Sequence, residues 1–131
     1  MCVPDVTTTL DAHAYLERIR CSSEVYRASL EPSLPLLRTL HAAHMLSVPF
    51  ENLAIHLGEP IALGEEALYD KIVRRRRGGF CYELNGLFVW LLRQLGFSVT
   101  LLSARVAPAF SVYFAGWTSL MARTFWPPGA S

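Results

Sequence analysis

Cysteine is scarce in this chain of 131 residues: Cys2, Cys21 and Cys81 are odd in number, widely spaced and without a C-x-x-C pair. That pattern fits neither a disulfide scaffold nor a zinc site, so no metal is expected and each thiol has to be judged alone. Net charge is nearly absent too. Twelve Lys and Arg stand against eleven Asp and Glu, and the balance of +1 sets up no overall field for nucleic acid or an anionic membrane surface. Although 52% of residues are apolar, no apolar run is long enough to cross a bilayer, and no basic segment followed by an apolar one opens the chain. The reading is a cytoplasmic protein whose partners are small molecules, not nucleic acid or membrane. Its length allows one domain, or part of one.

The most informative absences are local. No carboxylate follows Glu83 and no histidine follows His56. From Pro108 onward the only charge is Arg123, while Phe110, Tyr113, Phe114, Trp117, Phe125 and Trp126 crowd towards Pro127, Pro128 and Gly129. The composition changes character near Ala107, as it would at an early stop, a shifted frame or an alternative end.

What is present is mostly helical pattern. Ala12, Tyr15, Leu16 and Ile19 recur at helical spacing and predict a short helix over 11–19. A second begins at Ser33, a good N-cap with Pro35 tolerated in the first turn, carries Leu37, Leu40, His41 and His44 as one stripe, and stops before Pro49. Pro49-Phe50-Glu51-Asn52-Leu53 reads as a loop and Gly58-Glu59-Pro60 as a turn. A third helix is predicted over 65–74, with Leu68, Tyr69, Ile72 and Val73 facing inward. Four arginines, Arg74 to Arg77, then precede Gly78-Gly79, which break the helix; Arg74 to Arg76 read as solvated, not nucleotide-binding. A fourth helix opens around Cys81, with Leu84, Leu87, Phe88, Leu91, Leu92 and Leu95 on its apolar face and Gly96 as its cap. Residues 97–106 read as a strand.

A cysteine at a helix start meets unpaired backbone N–H groups and the positive end of the helix dipole, which favour the thiolate over the thiol. Arg77 adds positive potential from one turn upstream, and the two glycines let backbone N–H groups approach a bound carbonyl as oxyanion donors. Against this stands the commoner fate of a lone cysteine, a small buried hydrophobe. His41 and His44 on an apolar stripe read as satisfied core residues before they read as a base for the thiol.

The run Arg77-Gly78-Gly79-Phe80-Cys81-Tyr82-Glu83-Leu84-Asn85 resembles the R-G-G-x-C-x-E-x-N signature of the arylamine N-acetyltransferases. Pro49-Phe50-Glu51-Asn52-Leu53 resembles that family's P-F-E-N-L segment, residues 11–19 its opening helix, and Leu95-Gly96-Phe97 with 101–106 its first strand after the cysteine helix. The resemblance covers residues 10–106 in consistent order. It implies an α+β fold of the cysteine-proteinase-like kind: 1–96 as the N-terminal helical domain, 97–107 as the first strand of an incomplete β-barrel domain, and 108–131 as a divergent aromatic tail. It also implies ping-pong acetyl transfer, in which acetyl-CoA is donor substrate with no bound cofactor, Cys81 the acyl-accepting nucleophile, and an arylamine or hydrazine the acceptor, as in xenobiotic metabolism. Glu51 and Arg77 are expected to pair and hold the loop before Cys81. Gly78 and Gly79 belong to that loop, Glu83 and Asn85 are expected to bond within the helix or to nearby backbone, and Phe50 and Phe80 to line the substrate pocket.

One departure bears on activity. The family's triad is Cys, His, Asp in chain order, and neither a histidine nor an aspartate follows Cys81. Impaired activity is therefore expected, and strand 97–106 is expected to expose an apolar edge unless the tail wraps back over it. The alternatives are an inactive remnant acting as a binding protein, and a transglutaminase-like hydrolase, which shares the cysteine-on-helix geometry but not the run from Arg77 to Asn85.

Overall fold

The computed structural model describes residues 10–21 and 31–103, and the backbone of 122–124. Cys2, residues 104–106 of the expected strand and the aromatic residues Phe110, Tyr113, Phe114, Trp117, Phe125 and Trp126 lie outside the described residues. Helix α1 (Ala12–Arg18) starts where Asp11 Oδ1 accepts the His13 N–H at 2.8 Å. It ends with Arg20 in the left-handed region at φ 55°. There the Cys21 N–H reaches the Leu16 carbonyl and the Arg20 N–H the Glu17 carbonyl, both at 3.0 Å, the double bond pattern that closes a helix C-terminus.

Helix α2 (Leu34–Ser47) is capped by Ser33, whose side chain accepts from the Leu36 N–H, and it stops at Val48 before Pro49, as expected. Its buried stripe differs from the expected one. Leu36, Leu40 and His44, spaced four apart, face the core, so Leu37 is only half-buried and His41 is exposed. Segment 49–53 is not wholly a loop: a short helix α3 (Leu53–His56) begins there, because Glu51 Oε2 accepts the Leu53 N–H at 2.6 Å and anchors its first turn.

The expected helix over 65–74 changes pitch halfway. Helix α4 (Glu65–Tyr69) passes into a π-helical turn, Asp70–Arg74, where the Arg75 N–H bonds the Asp70 carbonyl five residues back at 2.9 Å. With the turn widened, Lys71, Ile72 and Val73 are all buried while Leu68 and Tyr69 stay inside. Helix α5 (Cys81–Gln94) is the centre of the molecule: Leu84, Leu87, Phe88, Leu91 and Leu92 are buried as predicted, and Val89 and Trp90 are buried as well. Leu95 is the half-buried C-cap and not a core residue of the face. Gly96 at φ +87° closes the helix, with Phe97 N–H on the Leu92 carbonyl and Gly96 N–H on the Arg93 carbonyl, both at 3.0 Å.

Around α5 the core mixes aromatic and aliphatic side chains in one cluster. Tyr15 stacks on Trp90 with centroids 6.4 Å apart, Tyr69 meets the same indole edge-on at 5.6 Å, and His44 lies 4.9 Å from Phe88. Arg18 joins three elements from inside. Its Nε donates to the Ile72 carbonyl at 2.9 Å, Nη1 to the Ser47 carbonyl at 2.7 Å and Nη2 to the Arg76 carbonyl at 3.4 Å. A cation thus sits at the carbonyl ends of α2 and of the π-helical turn, where helix dipoles favour it.

Phe97 belongs to the helix cap and the core, so the strand is shorter than the expected 97–106. Strand β1 (Val99–Leu101) pairs antiparallel with β2 (Ala122–Thr124), in the register Val99 to Thr124 and Leu101 to Ala122. The backbone of 122–124 thereby covers one edge of β1, although Leu101 and Leu102 remain exposed. Among the described residues no helix is long and apolar enough to cross a membrane.

Candidate active site around Cys81

Cys81 is the first residue of α5 and is partly exposed. The N-cap is Phe80, in extended conformation, and a phenyl ring has no acceptor for the N–H groups of the first turn. Glu83 supplies the other half of a capping arrangement: its Oε2 accepts the Phe80 N–H at 3.0 Å. That much matches the expected bonding of Glu83 to nearby backbone. Its second oxygen does something the sequence reading did not anticipate, accepting from Lys71 Nζ at 2.7 Å, with both side chains buried. A signal for Lys71 existed, since of the twelve basic side chains it is the only lysine.

The loop before Cys81 is fastened to the segment after α2. Phe50 and Gly79 form a parallel bridge, in which the Glu51 N–H donates to the Gly79 carbonyl at 2.9 Å and the Gly79 N–H to the Pro49 carbonyl at 3.3 Å. Both glycines are required by proximity. A Cβ on Gly78 would lie 2.0 Å from the Pro49 carbonyl oxygen, and one on Gly79 would lie 2.6 Å from Glu83 Oε2, a carboxylate already held by two partners. This corrects one expectation. The Gly79 N–H is engaged by Pro49 and is not a free oxyanion donor.

Arg77 and Glu51 do meet, at 3.5 Å, but the closer partner of Arg77 is Glu59 at 3.1 Å, a residue read from sequence only as part of a turn. Hydrogen bonding to Glu59, then the charges of Glu59 and Glu51, raise the Arg77 guanidinium above its ordinary value. The positive potential expected from Arg77 at the thiol is therefore shared with two carboxylates. Glu51 divides its oxygens between Arg77 and the Leu53 N–H, so one side chain ties the bridge, α3 and the arginine loop together. Asn85 is half-buried one turn above Cys81 on the same side of α5. Phe80 is half-buried with its ring edge-on to Tyr82 at 5.8 Å, and Phe50 is exposed.

Neither helical histidine has the setting of a base for Cys81. The His44 Nδ1 is 3.0 Å from the Tyr15 hydroxyl, and burial, with the charges of His41 and Arg18, lowers the imidazole from its ordinary 6.5 to about 4. His41 is exposed on α2, with its ring 6.1 Å from Phe88. Arg74 and Arg75 are exposed and paired on their own segment, Arg74 with Glu66 at 2.6 Å and Arg75 with Asp70 at 2.8 Å. A surface cleft of about 400 Å³ lies by Ala14, Arg18, Tyr69, Val73 and Arg76, and none of the residues predicted for the Cys81 site lines it.

The N-acetyltransferase family model matches residues 33–114, the stretch that holds Cys81 and the glycine loop fastened before it. An arylamine N-acetyltransferase of Gallus gallus, the pineal gland isozyme, is 48% identical over 98 residues, which cover 74% of this chain and 32% of that protein. The arylamine N-acetyltransferase / N-hydroxyarylamine O-acetyltransferase of Salmonella typhimurium is 47% identical over 72% of this chain and 32% of its own length. Among solved structures, Nocardia farcinica arylamine N-acetyltransferase superposes with a TM-score of 0.68 at 44% identity, covering 76% of this chain and 34% of that one. The Mycobacterium marinum enzyme in complex with CoA gives 0.66 at 42% identity, over 76% and 36%. The chain belongs to the arylamine N-acetyltransferase family. It spans about a third of the length of the curated relatives it matches.

Proposed function

We propose that the chain carries the nucleophile of a ping-pong acetyl transfer from acetyl-CoA to an arylamine or hydrazine. The observation that carries the reading is Cys81 as the partly exposed first residue of α5, on a loop pinned by the Phe50–Gly79 bridge and by Glu83. In the first half-reaction the Cys81 thiolate adds to the thioester carbonyl, the bond to the CoA sulfur breaks, and CoA leaves as the thiolate, taking up a proton. In the second, the amine nitrogen adds to the Cys81 thioester, Cys81 leaves with the electron pair, and the nitrogen gives up a proton. The first-turn N–H groups of α5 supply positive potential for the thiolate and for the oxyanion.

Glu51, Arg77, Gly78 and Gly79 hold the loop, Glu83 and Asn85 sit on the first turns of the nucleophile helix, and Phe50 and Phe80 are assigned to the substrate pocket. The 131 residues contain no histidine after His56 and no carboxylate after Glu83. With His44 engaged by Tyr15, the expected acetylation of these residues on their own is slow and depends on the thiolate formed without a base. The test is intact mass after incubation with acetyl-CoA, with Cys81→Ser in parallel and an arylamine added afterwards. An acetyl adduct that requires Cys81 and is discharged by the amine supports both half-reactions. A folded protein that forms no adduct leaves ancestry without activity, the inactive alternative.

A further inference from the structure

Two opposite charges are buried directly behind the turn that presents Cys81, and the proposed chemistry gives Lys71 no part. Lys71 is 7% exposed and Glu83 3% exposed. A buried ion pair is weak evidence for stability, since its desolvation can exceed its attraction and an apolar pair of similar volume serves as well. The carboxylate nevertheless has a local task, because its Oε2 holds the Phe80 N–H and packs against Gly79. This task fixes a carboxylate on the backbone N–H of Phe80, the residue before a cysteine whose sulfur must itself become negative, and a like charge in that neighbourhood disfavours it.

The other charged groups do not relieve the conflict. Arg77 approaches from the preceding loop, but its guanidinium is shared between Glu51 and Glu59, so that cluster has no surplus positive charge. From the π-helical turn comes Lys71, a compact ammonium making one short contact with Glu83 Oε1 at 2.7 Å. It is the only lysine in a chain that otherwise uses arginine. We propose that Lys71 is a positioning residue for Cys81: it holds Glu83 on the Phe80 N–H and cancels the charge that this carboxylate would otherwise set beside the thiolate.

The inference rests on Cys81 acting as a thiolate nucleophile, and its test uses iodoacetamide, so that it is decided apart from acetyl transfer. The measurement is the pH dependence of Cys81 alkylation, read by intact mass in a Cys2→Ser, Cys21→Ser background, with circular dichroism to verify folding. Lys71→Met leaves the carboxylate uncompensated and moves the midpoint up by about one pH unit, while Glu83→Gln leaves the ammonium and moves it down by about as much. The double variant, with neither charge, returns to the parent profile. A purely structural pair would not shift the two single variants in opposite directions. If Lys71→Met does not fold, Glu83→Gln decides, since glutamine keeps an acceptor for Phe80. A folded Glu83→Gln whose midpoint is unmoved or moves up overturns the proposal. Opposed shifts without an acetyl adduct would uphold it while removing the acetyl-transfer reading.

Discussion

The two ends of α5 are held by different forces. Its middle and C-terminal half, from Leu87 to Leu92, is wrapped by α1, α2 and Tyr69, and the contacts are rings and aliphatic side chains with almost no exposure. Its N-terminal end, where Cys81 sits, is held by a backbone bridge, two glycines that admit no Cβ, and carboxylates shared among Lys71, Arg77 and backbone N–H groups. Apolar packing is non-directional and scales with the area buried. Hydrogen bonds and close backbone approach are directional, and they are what can aim a sulfur. The core end thus decides whether the chain folds, and the loop end decides where the thiol points.

The comparison can be broken most forcefully from the core. Leu91 is fully buried, and Leu91→Ala is expected to cost about 2–5 kcal/mol in denaturant unfolding. In the fraction that remains folded, Cys81 alkylation should keep its rate. A slowed thiol in that fraction would show that the two ends are not separable.

Acid probes the same core through His44. Its folded value of about 4 lies below the ordinary 6.5, so the unfolded state binds the proton more readily between those values. Stability is complete above about pH 6.5 and is lost as pH falls towards 4, by roughly 2 kcal/mol at pH 5. Thermal melts at about pH 7.5 and 5 should show this loss in the parent and a smaller one in His44→Gln.

At the loop end, Gly78→Ala forces the Pro49 carbonyl away and gives up the bridge, at about 2 kcal/mol for its two hydrogen bonds. Alkylation of Cys81 should fall towards the rate of an ordinary exposed thiol while the aromatic core signals in NMR spectra persist. The smallest effect belongs to Glu59→Gln, which removes an exposed, solvent-screened partner of Arg77. Melting should barely move, and Arg77 should turn fully to Glu51. A large change there would mean that the surface pair, and not the bridge, holds the loop.

Much of this was legible along the chain because the signals are local. Ser33 as a cap, Pro49 after α2, Gly96 after α5, and the leucine spacing of α5 all act within one or two turns. The boundary of β1 was misplaced for the converse reason. Phe97 looks like the start of a strand, but its N–H completes the α5 cap and its ring joins the core. The π-helical turn was hidden because a 3.6-residue period does not register one extra residue in a turn. His41 and His44 look alike in sequence and are told apart only by which of them faces Phe88 from inside.

By itself the sequence determined the order of helices, their caps and the identity of the candidate nucleophile, since propensity, capping and motif spacing depend on near neighbours. Only the tertiary structure decided which further polar groups meet. Lys71 and Glu83 are twelve positions apart, Arg77 and Glu59 eighteen, and Arg18 and the Ile72 carbonyl fifty-four. Spacing in sequence carries no record of such encounters, because they follow from how the helices pack.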